Sequence, residues 1–277
     1  MSHRQLSAAG LHVAFGPRQV LRGADLSIPR GGRLALLGAN GSGKTTLLRA
    51  LAGSVRPSAG QVLVDGEPVG YSRGALRAHR QVAQLVAQDP DDQLFAADVG
   101  RDVSFGPLNL GLPESEVRTR VARALAVLSI ADLAERPIHE LSYGQRKRVA
   151  IAGALAMEPC VILLDEPTAG LDPQGVAELV GALERLLHAH TTVAIATHDV
   201  DFALRWADSV AVLVDGQVHQ GEPIALLGDA GLVAAARLRQ PMVLRAAALL
   251  GLANDGVRDV LDLVNAVQAA FAVEGAA

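Results

Sequence analysis

The 277 residues carry 25 Lys and Arg against 29 Asp and Glu, a formal charge of −4. A protein held on nucleic acid or anionic lipid by charge needs a basic excess, so neither class fits. The lone cysteine, Cys160, closes no internal disulfide, and no run reaches the ~18 apolar residues of a membrane span. The longest apolar stretch, Val149 to Met157, is flanked by Arg148 and Glu158. Met1 to Gly10 has no apolar run of signal-peptide type, so no leader is expected. Among the cations only Lys44 and Lys147 are lysines and the rest are arginines. A lysine in this chain therefore invites a specific reason.

In chain order, Leu11–Phe15 alternates as a strand does, and Leu26–Ile28 is a candidate neighbour. Arg33–Leu37, between Gly31-Gly32 and Gly38, reads as a short buried strand. A glycine-rich turn follows and then helical character over Thr45–Ala52. Gln61–Val64 with the Asp65-Gly66 turn suggests a hairpin arm, and Val82–Val86 another buried strand. Apolar spacing predicts helices over Glu114–Leu128 and Gln145–Met157, the first with Pro113 and Glu114 at its start. Val161–Leu164 and Thr192–Ala196 are buried-strand runs with a helix over Pro173–His188 between them, an order that implies a parallel sheet. Ser209–Val214, Asp215-Gly216 and Gln217–His219 form a last hairpin. Beyond about residue 228 the pattern is helical only. This divides the chain into a domain over residues 1–228 and a helical extension over 229–277.

Gly38, Ala39, Asn40, Gly41, Ser42, Gly43, Lys44 and Thr45 fit G-x-x-x-x-G-K-[ST], after a predicted strand and opening a predicted helix. Glycines let backbone N–H groups turn inward around phosphate oxygens, and the helix N-terminus adds its positive dipole. Lys44 supplies a compact charge to the β- and γ-phosphates, whereas an arginine fork would be bulkier and differently aimed. The Thr45 hydroxyl suits Mg²⁺, and Thr46 extends the binding segment. A phosphate loop by itself identifies only a nucleoside triphosphatase.

The second constellation is the strand Val161–Leu164 ending in Asp165 and Glu166. Asp165 is placed to hold Mg²⁺ beside Thr45, and Glu166 to polarise a water for in-line attack on the γ-phosphate. Upstream lie Leu141, Ser142, Tyr143, Gly144 and Gln145, and after the next strand come Thr197, His198 and Asp199.

Together these segments, in this order, resemble an ABC-type ATPase subunit over roughly residues 6–228. The resemblance implies an α/β fold: a phosphate-loop NTPase core, an antiparallel β subdomain near the N-terminus and a helical subdomain carrying the signature segment. It implies ATP and Mg²⁺, with ATP held between the phosphate loop of one copy and the signature of another in a head-to-tail homodimer. On this resemblance Ser142, Gly144 and Gln145 contact the γ-phosphate bound by the partner copy. Gln88 corresponds to the glutamine that senses Mg²⁺ and the attacking water, and Asp172 to the D-loop that crosses the interface. His198 corresponds to the switch histidine and Phe15 to the aromatic that stacks on adenine.

The Gln88–Phe95 and Phe105–Gly111 segments, with Tyr143 inside the signature, are similar to energy-coupling-factor ATPases, most of all to the cobalt/nickel (CbiO-like) group. That similarity implies an acidic groove, Asp89, Asp91 and Asp92, receiving an arginine-bearing helix of an integral membrane coupling subunit. A metal-binding membrane subunit completes the expected assembly, on the cytoplasmic face of the cell membrane, with no membrane insertion by this chain and no nucleic-acid partner. Ala87 stands where an aromatic is frequent, and Phe15 where tyrosine is. The expected function is ATP hydrolysis driving import of cobalt or nickel. The alternatives are a vitamin importer of the same type, and a soluble ABC-type ATPase acting on ribosomes or DNA. The extension after residue 228 is expected to pack as helices on the ATPase domain or on the partner copy.

Overall fold

The computed structural model describes residues 4–188, 191–254 and 256–274. Met1–His3 of the N-terminal stretch and the last three residues of the extension lie outside these. The chain opens with strands β1 (Leu6–Phe15), β2 (Arg18–Ser27) and β3 (Arg33–Leu37), then helix α1 (Lys44–Leu51). Strands β4 (Ala59–Val64) and β5 (Glu67–Pro68) lead to α2 (Arg73–His79) and β6 (Ala83–Val86). A helical insert follows: α3 (Val99–Asn109), α4 (Glu114–Val127) and α5 (Tyr143–Ala156). The core resumes with β7 (Val161–Asp165), α6 (Pro173–His188), β8 (Thr192–Thr197), α7 (Val200–Trp206), β9 (Ser209–Val214) and β10 (Gln217–Gly221). Helices α8 (Pro223–Gly228), α9 (Ala230–Ala235), α10 (Met242–Leu249) and α11 (Val260–Glu274) complete the chain.

Two sheets organise these elements. One is antiparallel with order β2-β1-β4-β5; the other has order β10-β9-β3-β8-β7-β6 and is parallel except for the terminal β9–β10 hairpin. Its central strands are apolar on both faces because both faces are covered. Side chains alternate across a strand, so Leu37, Leu164 and Ile195 join a core with the insert, α6 and α7. Leu36, Leu163 and Ala196 join a second core with α1 and the antiparallel sheet.

Three helices escape the sequence pattern. Helix α3 contains Gly100, Gly106 and Pro107, residues that ordinarily break helices. It forms because Asp98 caps its first turn by accepting from Arg101 N at 2.9 Å, while Val99 and Val103 are fully buried. Gly106 lies where a Cβ would sit 2.5 Å from Met157 Sδ, so the residue that weakens the helix lets it approach α5. Helices α2 and α7 are two turns each, capped by Ser72 and Asp199, too short to show a period.

The boundary near residue 228 falls between α8 and α9. Val233, Ala236, Val243, Leu244 and Val257 beyond it belong to the larger core, so the extension packs on the domain it follows. No helix among the described residues is long and apolar enough to cross a membrane.

Candidate active site

The register of the parallel sheet brings the motifs together. Leu37 pairs with Thr197 and Asp165 with Ala196, so β3, β7 and β8 end at one edge. Ligands of open α/β sheets collect at such carboxyl ends. The phosphate loop leaves β3 there, Asp165 and Glu166 end β7, His198 follows β8, and Gln88 lies two residues past β6.

The loop turns into α1 through Gly43, whose φ of +113° is closed to other residues; a Cβ would also meet Val20 Cγ1 at 2.8 Å. Lys44 is buried and donates from Nζ to Gly38 O at 2.7 Å and Ala39 O at 3.4 Å. Its ammonium stands 3.3 Å from Glu166 Oε1, in an ion pair of which neither side chain is more than 7% exposed. His198 Nδ1 lies 3.1 Å from both Glu166 oxygens. Glu166 has φ +44°, a left-handed backbone rare for a non-glycine residue, and strain of this kind concentrates at functional sites.

Thr45 Oγ1 donates to Asp165 Oδ2 at 2.6 Å, whereas Asp165 Oδ1 is buried without a hydrogen-bond partner. Burial pushes the Asp165 carboxyl above its usual range, against the Thr45 hydrogen bond; Glu166 adds to the rise and Lys44 opposes it. A cleft of about 400 Å³ is lined by Phe15, Ala39, Asn40, Gly41, Gly43 to Thr46, Gln88, Asp165 and Glu166, while His198 lines a separate hollow that shares Ala39 and Asn40 with it. Phe15 is 54% exposed at the rim of the cleft, so it is not a core aromatic. Arg18, which sequence reasoning missed, lines the same cleft and donates to Gly41 O at 3.2 Å.

Other predicted residues stand apart from this cleft. Ser142 and Gln145 bond each other's backbones as a capping box on α5, and Asp172 accepts from Gly175 N at 2.7 Å at the start of α6. Gly144 packs toward Leu171. Asp89, Asp91 and Asp92 occupy a short turn after β6, where Asp89 accepts from Asp91 N and Asp91 Oδ1 lies 2.9 Å from Arg146 Nε. Close by runs a groove of about 760 Å³ lined by Leu94, Phe95, Phe105, Met157, Arg73 and Arg77 among others. Phe95 and Phe105 meet edge to face at 4.6 Å while both remain exposed. A large exposed aromatic pair beside carboxylates suits a partner surface.

Lys147 is the second missed residue, although its rarity flagged it. It is buried on α5 and donates to Glu166 O, Pro167 O and Ala169 O at 2.7 to 3.0 Å. Burial lowers its pKa to about 8, opposed by Glu166 and Asp89, so it stays mostly charged at neutral pH.

The ABC transporter family matches residues 21–169. This chain belongs to the ABC transporter ATPases. It is 52% identical over 241 residues to the cobalt import ATP-binding protein CbiO of Rhodobacter capsulatus, covering 86% of each chain. To the energy-coupling factor transporter ATP-binding protein EcfA of Methanocaldococcus jannaschii it is 46% identical, covering 81% of each. The solved structure of cbiO1 from Clostridium perfringens, described as part of the ABC transporter complex cbiONQ, superposes with a TM-score of 0.75 at 42% identity. That match covers 89% of this chain and 98% of the other. The fold is the ABC ATPase fold, of the energy-coupling-factor type, and the chain is an ATP-binding ATPase.

Proposed function

We propose that this ABC ATPase drives an energy-coupling-factor importer of cobalt or nickel ions from the cytoplasmic face of the membrane. The observation that carries the reading is the joining of Lys44, Glu166 and His198 at one sheet edge of a chain that also exposes the Phe95–Phe105 groove, lined by a separate set of residues. A hydrolytic centre and a surface fit for a partner thus stand on one chain. The 52% identity to a cobalt import subunit favours metal as cargo; the 46% identity to EcfA supports a vitamin importer as the second reading. Deleting the chain's gene and complementing with wild type or Glu166→Gln tests this by uptake. Cobalt or nickel uptake restored by wild type alone is expected. Unchanged metal uptake with loss of vitamin uptake overturns the metal cargo.

Phe15 stacks on adenine, and the segment Gly38–Thr46 binds the triphosphate. Phe15→Ala therefore weakens ATP binding about 5- to 150-fold, the range for loss of one base–aromatic stack. Titration with a fluorescent ATP analogue checks it, and unchanged affinity places adenine elsewhere. The unpartnered buried oxygen of Asp165 beside the Thr45 hydroxyl is the hard oxygen set that Mg²⁺ takes, with Gln88 at the cleft edge as a further oxygen. When bound there, Mg²⁺ neutralises charge on the β- and γ-phosphates. Lys44 and His198 hold the γ-phosphoryl oxygens while Glu166 accepts the proton of an in-line water. The water oxygen bonds to the γ-phosphorus, the bridging P–O bond breaks, and ADP carries its electrons away.

Two copies act head to tail. Ser142, Gly144 and Gln145 of the partner reach the γ-phosphate from a helix N-terminus, and Asp172 lies at the interface. Closure brings the two partner grooves together and moves the membrane subunit's coupling helices; hydrolysis removes the γ-phosphate contacts and reopens the pair. The extension over 229–274 supports the dimer through the exposed apolar side chains of α10 and α11, Leu249, Val260 and Leu261 among them. An arginine on a coupling helix competes with Arg146 for Asp91 and bonds Asp89 and Asp92 on the same turn after β6. Asp91→Arg is expected to cut recovery of the membrane partner on the tagged chain by about tenfold or more. Full recovery of the partner by that variant excludes Asp91 from the docking site.

A further inference from the structure

Both lysines of this arginine-rich chain converge on one residue. Lys44 faces the Glu166 carboxylate at 3.3 Å, while Lys147 bonds the Glu166 carbonyl at 3.0 Å. The ammonium of Lys147 has three donors, and the carbonyls of Glu166, Pro167 and Ala169 accept from it within 3.0 Å. An arginine fork spreads its donors in a plane and does not converge on three carbonyls of one turn.

We propose that Lys147 is a positioning residue for hydrolysis, fastening the signature helix α5 to the backbone that carries Glu166, so that the carboxylate's aim follows that helix. The backbone it holds needs holding. The left-handed conformation of Glu166 persists only where its surroundings fix it. On the N-terminal side Glu166 N donates to Ala196 O at 2.9 Å, which ties it to β8. On the C-terminal side Glu166 O accepts from Ala169 N at 3.1 Å within the turn, and Lys147 ties that turn to α5. Tyr143, one turn earlier on the same face of α5, completes the clamp. Its ring covers Gly170, where a Cβ would fall 2.9 Å from Cε1, and Lys147 Nζ lies 5.3 Å from the ring centroid. The turn 166–170 is thus gripped by residues 143 and 147, immediately beside the signature residues Ser142, Gly144 and Gln145. A shift of α5 against the partner's nucleotide is transmitted to the Glu166 peptide through these bonds.

The inference rests on the proposed role of Glu166, and its test separates the two. Steady-state ATPase rates and fluorescent-nucleotide affinity are measured on the full chain for wild type, Lys147→Met, Lys147→Gln and Glu166→Gln. Lys147→Met is expected to lower kcat by about tenfold or more, since small misplacements of a reacting group are costly. Its KM for ATP and its nucleotide affinity should stay within about threefold of wild type. Lys147→Gln, which keeps an N–H donor, should fall between. A kcat within about twofold of wild type in Lys147→Met overturns the proposal. So does a parallel fall of kcat and affinity that tracks the folded fraction in a melting curve, which would mark a merely structural residue. If Lys147→Met does not fold, Lys147→Gln decides by the same split: a lowered kcat at wild-type affinity supports the proposal, and an unchanged kcat overturns it. Normal hydrolysis by Glu166→Gln refutes the role of Glu166 itself. An inactive Glu166→Gln beside a normal Lys147→Met refutes the positioning alone.

Discussion

Glu166→Gln is expected to leave ATP binding intact and to reduce steady-state hydrolysis by at least about 100-fold, the contribution of a positioned general base. The amide keeps the shape of the carboxylate but no longer takes a proton from the attacking water. It also removes a negative charge 3.3 Å from Lys44 and 3.1 Å from His198 Nδ1. On the proposed mechanism Lys44 and His198 then meet the γ-phosphate without a competing carboxylate, so nucleotide affinity should hold or rise. With ATP bound and uncleaved, two copies should remain closed, visible as a stable dimer by size-exclusion chromatography in Mg-ATP. Normal turnover by this variant would remove Glu166 from the mechanism.

Lys44→Met should have the opposite signature. Hydrogen bonds to charged groups contribute ~1.5–3 kcal/mol each, so losing the ammonium should weaken ATP binding by about 100-fold or more. Hydrolysis disappears with binding at physiological ATP. The variant also leaves Glu166 buried without its counter-charge; breaking a buried ion pair on one side costs ~3–5 kcal/mol. A lower melting temperature without nucleotide is therefore expected, and neutralising the stranded partner in Lys44→Met/Glu166→Gln should recover part of it. Lys44→Arg should not rescue binding, because the pocket between Gly38 O and Ala39 O is built for a compact ammonium. Nucleotide titration and thermal melts of the three variants check these points, and wild-type affinity in Lys44→Met would contradict the cleft as the triphosphate site.

The contrast between the two variants identifies which half of the site each residue serves. One should bind and fail to cleave; the other should fail to bind. Phosphate-loop sites divide their work in this way because catalysis is mostly positioning and charge, with little covalent chemistry for the protein to supply.

Much of the fold around the candidate site is legible in the sequence. Arg33–Leu37, Pro173–His188 and Ser209–Val214 are observed at the bounds their patterns predict, because bounded apolar runs mark the buried strands and a helical period marks the amphipathic helix. The phosphate loop and the Asp165-Glu166 pair are local motifs, so chain order alone places them. What escaped was tertiary. Helix α3 carries glycine and proline for the sake of its packing on α5, and local propensity argues against it. The rarity of lysine flagged Lys147, yet the three carbonyls it serves come from a turn about twenty residues away, which no local pattern reveals. The acidic run Asp89, Asp91 and Asp92 was visible, but not that Asp91 already pairs with Arg146 from the signature helix. That pair ties the turn after β6 to α5.

Hydrolysis here is proposed to serve a membrane-embedded importer. Affinity capture of the tagged chain from gently solubilised native membranes, with every co-purifying protein identified, tests it most directly. Integral membrane partners are expected, one with an arginine-bearing cytoplasmic helix and one with metal-ligand side chains, both depleted by Asp91→Arg. Recovery of only soluble ribosomal or DNA-associated proteins would contradict it and leave the ATPase chemistry alone standing.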